Sequence, residues 1–181
     1  MDAAALIASL QDAVPGAQLE SAPSIDLQPT IYTPADALPA LARALRDRPD
    51  LAFTLLIELT AVDFWPTEPR YELVYILVSP ANRLRLRLKV RLNAEGSRVA
   101  TVTDVWPAAN WLEREVWDLF GIVFDGHPDL RRLLMPEDWD GFPLRKDYPV
   151  QIRKTPVASE PLQVTAEQFR RNLERDRLTR T

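Results

Sequence analysis

The stretch from Arg83 to Leu92 alternates between cationic and aliphatic side chains without a break. Its aliphatic positions are Leu84, Leu86, Leu88, Val90 and Leu92, and its cationic positions are Arg83, Arg85, Arg87, Lys89 and Arg91. Successive side chains of a strand point to opposite faces, so this pattern predicts a strand with one apolar and one charged face. Antiparallel sheets tolerate one wet face, whereas parallel sheets are covered on both. The chain is therefore expected to fold around a largely antiparallel sheet.

Other segments predict the elements that surround this strand. Strands are predicted over 25–32, 53–63, 71–79 and 98–103, the first at a sheet edge because Pro29 cannot donate to a ladder. Helices are predicted over 2–14, from an N-cap at Thr33 towards residue 48, and from about 108 to Phe120, where Gly121 suits the C′ position. These elements predict an α+β fold, a mostly antiparallel sheet flanked by helices and followed by an extended C-terminal arm.

Regular periodicity fades after Gly121, and prolines recur from Pro128 to Pro161. We therefore divide the chain into an α+β domain over 1–122 and a proline-rich arm over 123–181. Thr165 and Gln168 have the spacing of a capping box, which predicts a short terminal helix. An irregular segment this long is improbable inside a compact domain, so we expect the arm to dock on a partner subunit.

Composition excludes several classes of function. A net charge of −4 argues against a nucleic-acid partner. The absence of cysteine excludes thiolate-bound clusters. No apolar run approaches the roughly 20 residues of a transmembrane helix, so we expect membrane contact only through partners.

Candidate catalytic groups fit structural roles better. Glu113 and Glu115 are two positions apart on a helix and do not face each other, so salt bridges of the helix surface or of an interface are expected instead. Arg114 and Asp118 have the spacing of an intrahelical pair. His127 is the only histidine, and a hydrogen-bonded turn around it is favoured over a metal site.

Basic and aromatic residues recur in the arm, and these types anchor protein interfaces. We therefore predict no catalytic, cofactor or metal residue on this chain and a partner interface instead. The interface is predicted to contain Glu113, Arg114, Glu115, Asp118, His127, Asp129, Arg131, Arg132, Arg145, Lys146 and Tyr148.

The run from Glu113 to Leu134, EREVWDLFGIVFDGHPDLRRLL, resembles the signature of the C-subunit of the proton-translocating NADH:quinone oxidoreductase, respiratory complex I. The stretches PED at 136–138 and GFPLRKDYP at 141–149 continue the pattern. A looser likeness extends upstream through residues 59–63, 72–75 and 103–104. The resemblance covers about two-thirds of the chain.

This resemblance implies a non-catalytic structural or assembly subunit of the peripheral arm of that enzyme. It implies the D-subunit as the chief partner, neighbouring peripheral-arm subunits as further partners, and a place on the cytoplasmic side of the bacterial plasma membrane. NADH and quinone would be substrates of the assembly, and FMN and iron–sulfur clusters would belong to partner subunits.

Two alternatives stay open. The first is the equivalent subunit of a related membrane-bound hydrogenase or another quinone-linked dehydrogenase. The second is a free-standing hydrolase that uses His127 and nearby acids.

Overall fold

The computed structural model describes residues 3–149, together with residues 165, 167, 168, 170 and 171. Its helices are α1 (Ala3–Ala13), α2 (Leu38–Asp47) and α3 (Ala109–Phe120). Its strands are β1 (Glu20–Ser21), β2 (Thr30–Tyr32), β3 (Leu55–Asp63), β4 (Tyr71–Ser79), β5 (Leu84–Leu92), β6 (Arg98–Ala100) and β7 (Val123–Asp125).

The main sheet has five strands in the order β1-β2-β5-β4-β3. The pairs β1–β2, β3–β4 and β4–β5 are antiparallel, whereas β2 runs parallel to β5. Strands β6 and β7 form a separate parallel pair. The predicted α+β fold with a mostly antiparallel sheet is confirmed.

The alternating strand folds as its pattern predicts. Leu86, Leu88 and Val90 are fully buried in one core with inward residues of β3 and β4 and with apolar residues of α1, α2 and α3. The cations between them lie on the opposite face, which we call the outer face of the sheet. Lys89 and Arg87 bind carboxylates there, those of Glu72 and Asp26, at 2.7 and 2.6 Å.

Strand β2 is shorter than predicted and does not lie at the edge. It begins after Pro29, whose carbonyl accepts a hydrogen bond from the Arg87 N–H. Because the proline precedes the paired residues, its missing donor costs the ladder nothing, and β2 lies between β1 and β5.

Helix α2 begins later than predicted. The Thr33 N–H donates to the Lys89 carbonyl at 2.9 Å, which prolongs the pairing with β5 beyond Tyr32. The chain therefore stays extended at Thr33, and the helix starts at Leu38, with a proline in its first turn and no side-chain cap.

The chain divides into two compact units, Met1–Tyr148 and Pro149–Thr181. Residues 123–148 thus belong with the α+β unit, although the sequence placed the boundary after residue 122. In the second unit the predicted capping box is confirmed, since Thr165 and Gln168 exchange hydrogen bonds of 3.0 and 3.3 Å. The rest of the predicted terminal helix, including Phe169, lies largely outside the described residues.

None of the helices in the described part of the chain is both long and apolar enough to cross a membrane.

Candidate docking site

Helix α3 supports the candidate site. It packs against β3 on one side, and the irregular segment 126–148 runs along its other side. Gly121 ends the helix in the left-handed region, at φ 75°, and its N–H donates to the Trp117 carbonyl at 2.8 Å. The predicted C′ glycine is therefore confirmed.

Glu113 faces inward from α3 and is fully buried. One carboxylate oxygen accepts from the Val102 N–H at 2.8 Å and the other from the Thr101 hydroxyl at 2.5 Å. Burial raises the pKa of Glu113 to about 7, although these two hydrogen bonds act in the opposite direction. The side chain joins α3 to the loop after β6. The sequence had instead suggested a salt bridge on the helix surface or at an interface.

Asp118 faces the irregular segment, and its side chain is also fully buried. One oxygen accepts from the N–H groups of residues 133, 134 and 135 at 3.0, 2.7 and 2.9 Å. The other accepts from Arg132 Nη1 at 2.7 Å. Burial opposes ionisation, but the three N–H groups and the guanidinium outweigh it and lower the pKa of Asp118. One carboxylate thus fixes the backbone of a segment without regular structure.

Arg114 and Arg132 complete this attachment. Arg114 donates to the carbonyls of Arg131 and Arg132 at 3.1 Å, so the predicted pairing of Arg114 with Asp118 is wrong. Arg132 also donates to the Trp139 and Gly141 carbonyls, at 2.8 and 3.2 Å. Each guanidinium is committed to groups within the chain.

The C-terminal end of α3 binds the next part of the segment. The Leu144 N–H donates to the Leu119 carbonyl at 3.1 Å, and Arg145 Nε donates to the Phe120 carbonyl at 2.5 Å. These contacts satisfy two carbonyls that a helix end leaves without intrahelical partners. A Cβ atom at Gly121 would collide with Arg145 and with the Phe142 ring, which shows how closely the segment approaches the helix.

A second buried carboxylate, Asp63 at the end of β3, holds the end of the segment. Arg70 binds Asp63 through two hydrogen bonds of 3.0 and 2.9 Å and also binds Asp147 at 2.7 Å. The Lys146 N–H donates to Asp63 at 2.8 Å. Burial would raise the pKa of Asp63, but the hydrogen bonds from Arg70, Lys146 and Trp65 lower it to about 2.

The sequence pattern singles out neither Arg70 nor Asp147 and assigns no role to Asp63. A signal was available, because an aspartate at an inward position of an apolar strand requires a partner. The arginine seven residues later lies just beyond the turn and supplies it.

His127 and Tyr148 stabilise local turns. His127 Nε2 lies 3.0 Å from the Asn110 carbonyl, and Nδ1 accepts from the Asp129 N–H at 3.0 Å, which confirms the predicted hydrogen-bonded turn. Because Nδ1 accepts a hydrogen bond, Nε2 carries the hydrogen. The Tyr148 hydroxyl donates to the Asp140 carbonyl at 3.1 Å. Within the described residues, no group of three or more acidic or histidine side chains is placed to hold a metal ion.

The exposed side chains along this attachment form what we call the arm face: Trp111, Arg131, Leu134, Leu144 and Lys146. The Trp111, Leu134 and Leu144 side chains are 57%, 59% and 49% exposed. Arg131 pairs with Asp129 at 2.8 Å in solvent, while Glu115 is half-buried on α3.

The structure therefore separates eight of the predicted interface residues into two groups, and the other three, Glu115, His127 and Tyr148, are half-buried. Glu113, Asp118, Arg114, Arg132 and Arg145 hold the chain together internally. Asp129, Arg131 and Lys146 are exposed and available to another molecule. The exposed apolar residues of the arm face, Trp111, Leu134 and Leu144, were not predicted as interface residues. An apolar residue at any of these positions could equally belong to the core.

Comparison with known proteins bears on this geometry. The family model described as "Respiratory-chain NADH dehydrogenase, 30 Kd subunit" matches residues 31–154, which include the whole of the arm face. The chain belongs to this family.

Its relatives include the C-subunit of the NADH-quinone oxidoreductase of Roseiflexus sp. (strain RS-1). That protein is 46% identical over 151 residues, which are 83% of this chain and 86% of the relative.

Two solved structures share the fold of the 30 Kd subunit family. One is described as Nqo5 of a trypsin-resistant fragment, with a TM-score of 0.53 at 33% identity, covering 69% of this chain and 98% of that one. The other is a chain of an archaeal membrane-bound sulfane sulfur reductase, with a TM-score of 0.68 at 28% identity. It covers 81% of this chain and 85% of the solved chain.

Asp118→Ala should destabilise the isolated chain by about 3–5 kcal/mol, because it leaves Arg132 without its buried partner. Asp129→Ala removes an exposed pair from the same segment and should cost at most about 1 kcal/mol. Urea denaturation of both variants measures the difference. Equal costs would show that Asp118 does not anchor the segment.

Glu113→Gln should change how stability depends on pH. With a folded-state pKa of about 7 and an ordinary value of 4.5, folding of the native chain takes up a proton between these values. The native chain should therefore lose up to about 3 kcal/mol as pH rises from about 4.5 to 7. The glutamine variant should lack this loss in denaturation curves across that range, and an unchanged slope would contradict the assignment.

Gly121→Ala should be more damaging than Gly96→Ala, although both glycines have positive φ. Space around Gly96 is open within 4 Å, so alanine there meets only the left-handed backbone strain of about 1–2 kcal/mol. Alanine at Gly121 also overpacks against Arg145 and Phe142, adding about 1–3 kcal/mol. Melting temperatures of the two variants test this, and similar shifts would refute the close packing.

Proposed function

We propose that this chain is a non-catalytic structural and assembly subunit of the peripheral arm of NADH:quinone oxidoreductase. That enzyme transfers electrons from NADH through FMN and iron–sulfur centres to a quinone and couples the transfer to proton translocation. Family membership supports the placement in this enzyme, and so does the name of the Roseiflexus relative, the C-subunit of NADH-quinone oxidoreductase.

The arm face is the observation that carries the proposal. Exposed aromatic and aliphatic side chains stand on a backbone that buried carboxylates hold in place. Such a preorganised surface loses little conformational entropy when a partner binds. Exposed apolar residues beside arginine are also typical of the anchors of protein interfaces.

We infer that the arm face docks on the D-subunit and that neighbouring peripheral-arm subunits make further contacts. The chain would lie on the cytoplasmic side of the bacterial plasma membrane and touch the membrane only through the complex. FMN and iron–sulfur clusters would be carried by partner subunits.

The placement of the candidate acid and base groups supports a non-catalytic role. Glu113 is enclosed, with both oxygens in hydrogen bonds, and both nitrogens of His127 have partners. Neither residue is free to meet a substrate. This favours a role within an assembly over a free-standing hydrolase.

A second membrane enzyme shares the fold, since the archaeal sulfane sulfur reductase contains a similar chain. The fold alone therefore does not select the electron donor. The name of the 46% identical relative favours the NADH:quinone oxidoreductase over a hydrogenase or another quinone-linked dehydrogenase.

The test uses two variants of the arm face, made in the intact organism. Arg131→Glu reverses a charge, and Leu134→Asp replaces an apolar side chain with a carboxylate. We expect each to lower the amount of assembled complex and the NADH:quinone reductase activity of membranes at least several-fold. Both side chains are exposed, so the melting temperature of the isolated chain should change little.

Arg43→Glu is the matched control, because Arg43 is an exposed arginine of α2 paired with Asp104 at 2.8 Å, as Arg131 is with Asp129. It should leave assembly intact. Normal assembly with both arm-face variants would overturn the docking proposal. Cross-linking of the arm face to a subunit other than the D-subunit would overturn only the choice of partner.

A further inference from the structure

The outer face of the main sheet is a second surface that the described residues of the first unit leave open. Helices α1, α2 and α3 contribute apolar residues to the core on the inner face. On the outer face the β3 side chains of Leu55, Ile57 and Val62 are 46%, 55% and 38% exposed, and Phe64 just beyond the strand is 47% exposed. Monomeric proteins rarely leave large contiguous apolar patches in water.

The strand register places the first of these residues beside an apolar residue of β4. Leu55 lies opposite Val78, and Thr60 lies opposite Val74. Val74, Ile76 and Val78 are only half-buried, so the two neighbouring strands share apolar surface on this face, interrupted on β3 by the exposed Glu58 opposite Ile76. A shift of register between Leu56 and Glu58 adds Ile57 to the exposed residues.

The next column, on β5, is cationic, and most of its charge is neutralised within the chain. Arg87 pairs with Asp26 and Lys89 with Glu72, while Arg91 lies 3.9 Å from Glu20 and over the Tyr32 ring. Arg85 differs from them. It is exposed, lies opposite Val78, and binds no carboxylate among the described residues.

We propose that this surface binds a helix of another subunit, whose apolar side chains cover β3 and β4 and whose carboxylate pairs with Arg85. Strands spaced about 4.8 Å apart place the β5 column within the 10–12 Å width of a helix lying over β3 and β4. The row Leu55–Val78–Arg85 therefore offers two apolar contacts and one unmatched positive charge side by side.

Charge also argues against the chain's own C-terminal segment as the occupant. The sequence after Tyr148 contains more basic than acidic residues, so it does not complement Arg85 as a whole. The proposal rests on the chain being part of an assembly, but it does not depend on the arm face or on the D-subunit.

The experiment places a photoreactive benzoylphenylalanine at Ile57 in the full chain and illuminates the complete complex purified from membranes. We expect a cross-link to one segment of another subunit, with an aspartate or glutamate near the linked residue. The same amino acid at Arg43, on the helix side of the molecule, serves as the background.

Arg85→Glu should then reduce the yield of the Ile57 cross-link at least fivefold, and Arg85→Lys should retain most of it. Replacing the partner's linked carboxylate with lysine should restore the yield to the Arg85→Glu chain. The Arg85→Glu substitution removes no ion pair within the described residues, so the isolated chain should keep its melting temperature.

Several outcomes overturn the inference. The first is a cross-link yield at Ile57 no higher than at Arg43. The second is a cross-link yield that Arg85→Glu does not change. The third is a cross-link from Ile57 to lipid, to a second copy of the chain or to residues after Tyr148. Benzoylphenylalanine at Leu134 keeps the two proposals distinguishable. A partner cross-link from Leu134 with none from Ile57 leaves the proposed function standing and refutes only the sheet-face helix.

Discussion

The hydrogen bonds to the Asp118 carboxylate are the interaction on which the irregular segment 126–148 depends. Residues 126–148 contain no helix, and their backbone groups cannot satisfy one another as those of regular elements do. A buried carboxylate accepts three N–H groups and a guanidinium at once, which replaces the missing regular structure. Breaking one member leaves a buried charge unmatched, so the arrangement is stable only when it is complete.

Asp63 is a second buried carboxylate that binds an arginine and a backbone N–H, at the other end of the segment. Asp63, Arg70 and Asp147 join the end of β3, the start of β4 and the last residues before Pro149. Together the two carboxylates fix the segment at both ends, and the contacts of Leu144 and Arg145 with the end of α3 fix it between them. The irregular backbone can therefore present exposed side chains in one defined arrangement.

The sequence predicted the elements whose information is local. The alternation in β5 determined its two faces, and Gly121 marked the end of α3 through its left-handed backbone. The sequence also pointed to residues 113–148 as the region of interest. It did not reveal that Glu113 and Asp118 turn inward, because their partners are backbone N–H groups or residues distant in sequence. The predicted start of α2 was wrong for the same reason. The Thr33 N–H donates to the carbonyl of Lys89, on a strand more than fifty residues away.

The anchoring of Lys146 and Asp147 has a consequence for everything that follows them in the chain. A segment that leaves a fixed point on a docked protein meets that protein's partner as part of the same molecule, at an effective concentration set by its reach. On the proposed docking, contacts made beyond Pro149 would add avidity even if each were weak. On the proposed docking, the Arg70 ion pairs fix the point from which the rest of the chain would reach the partner.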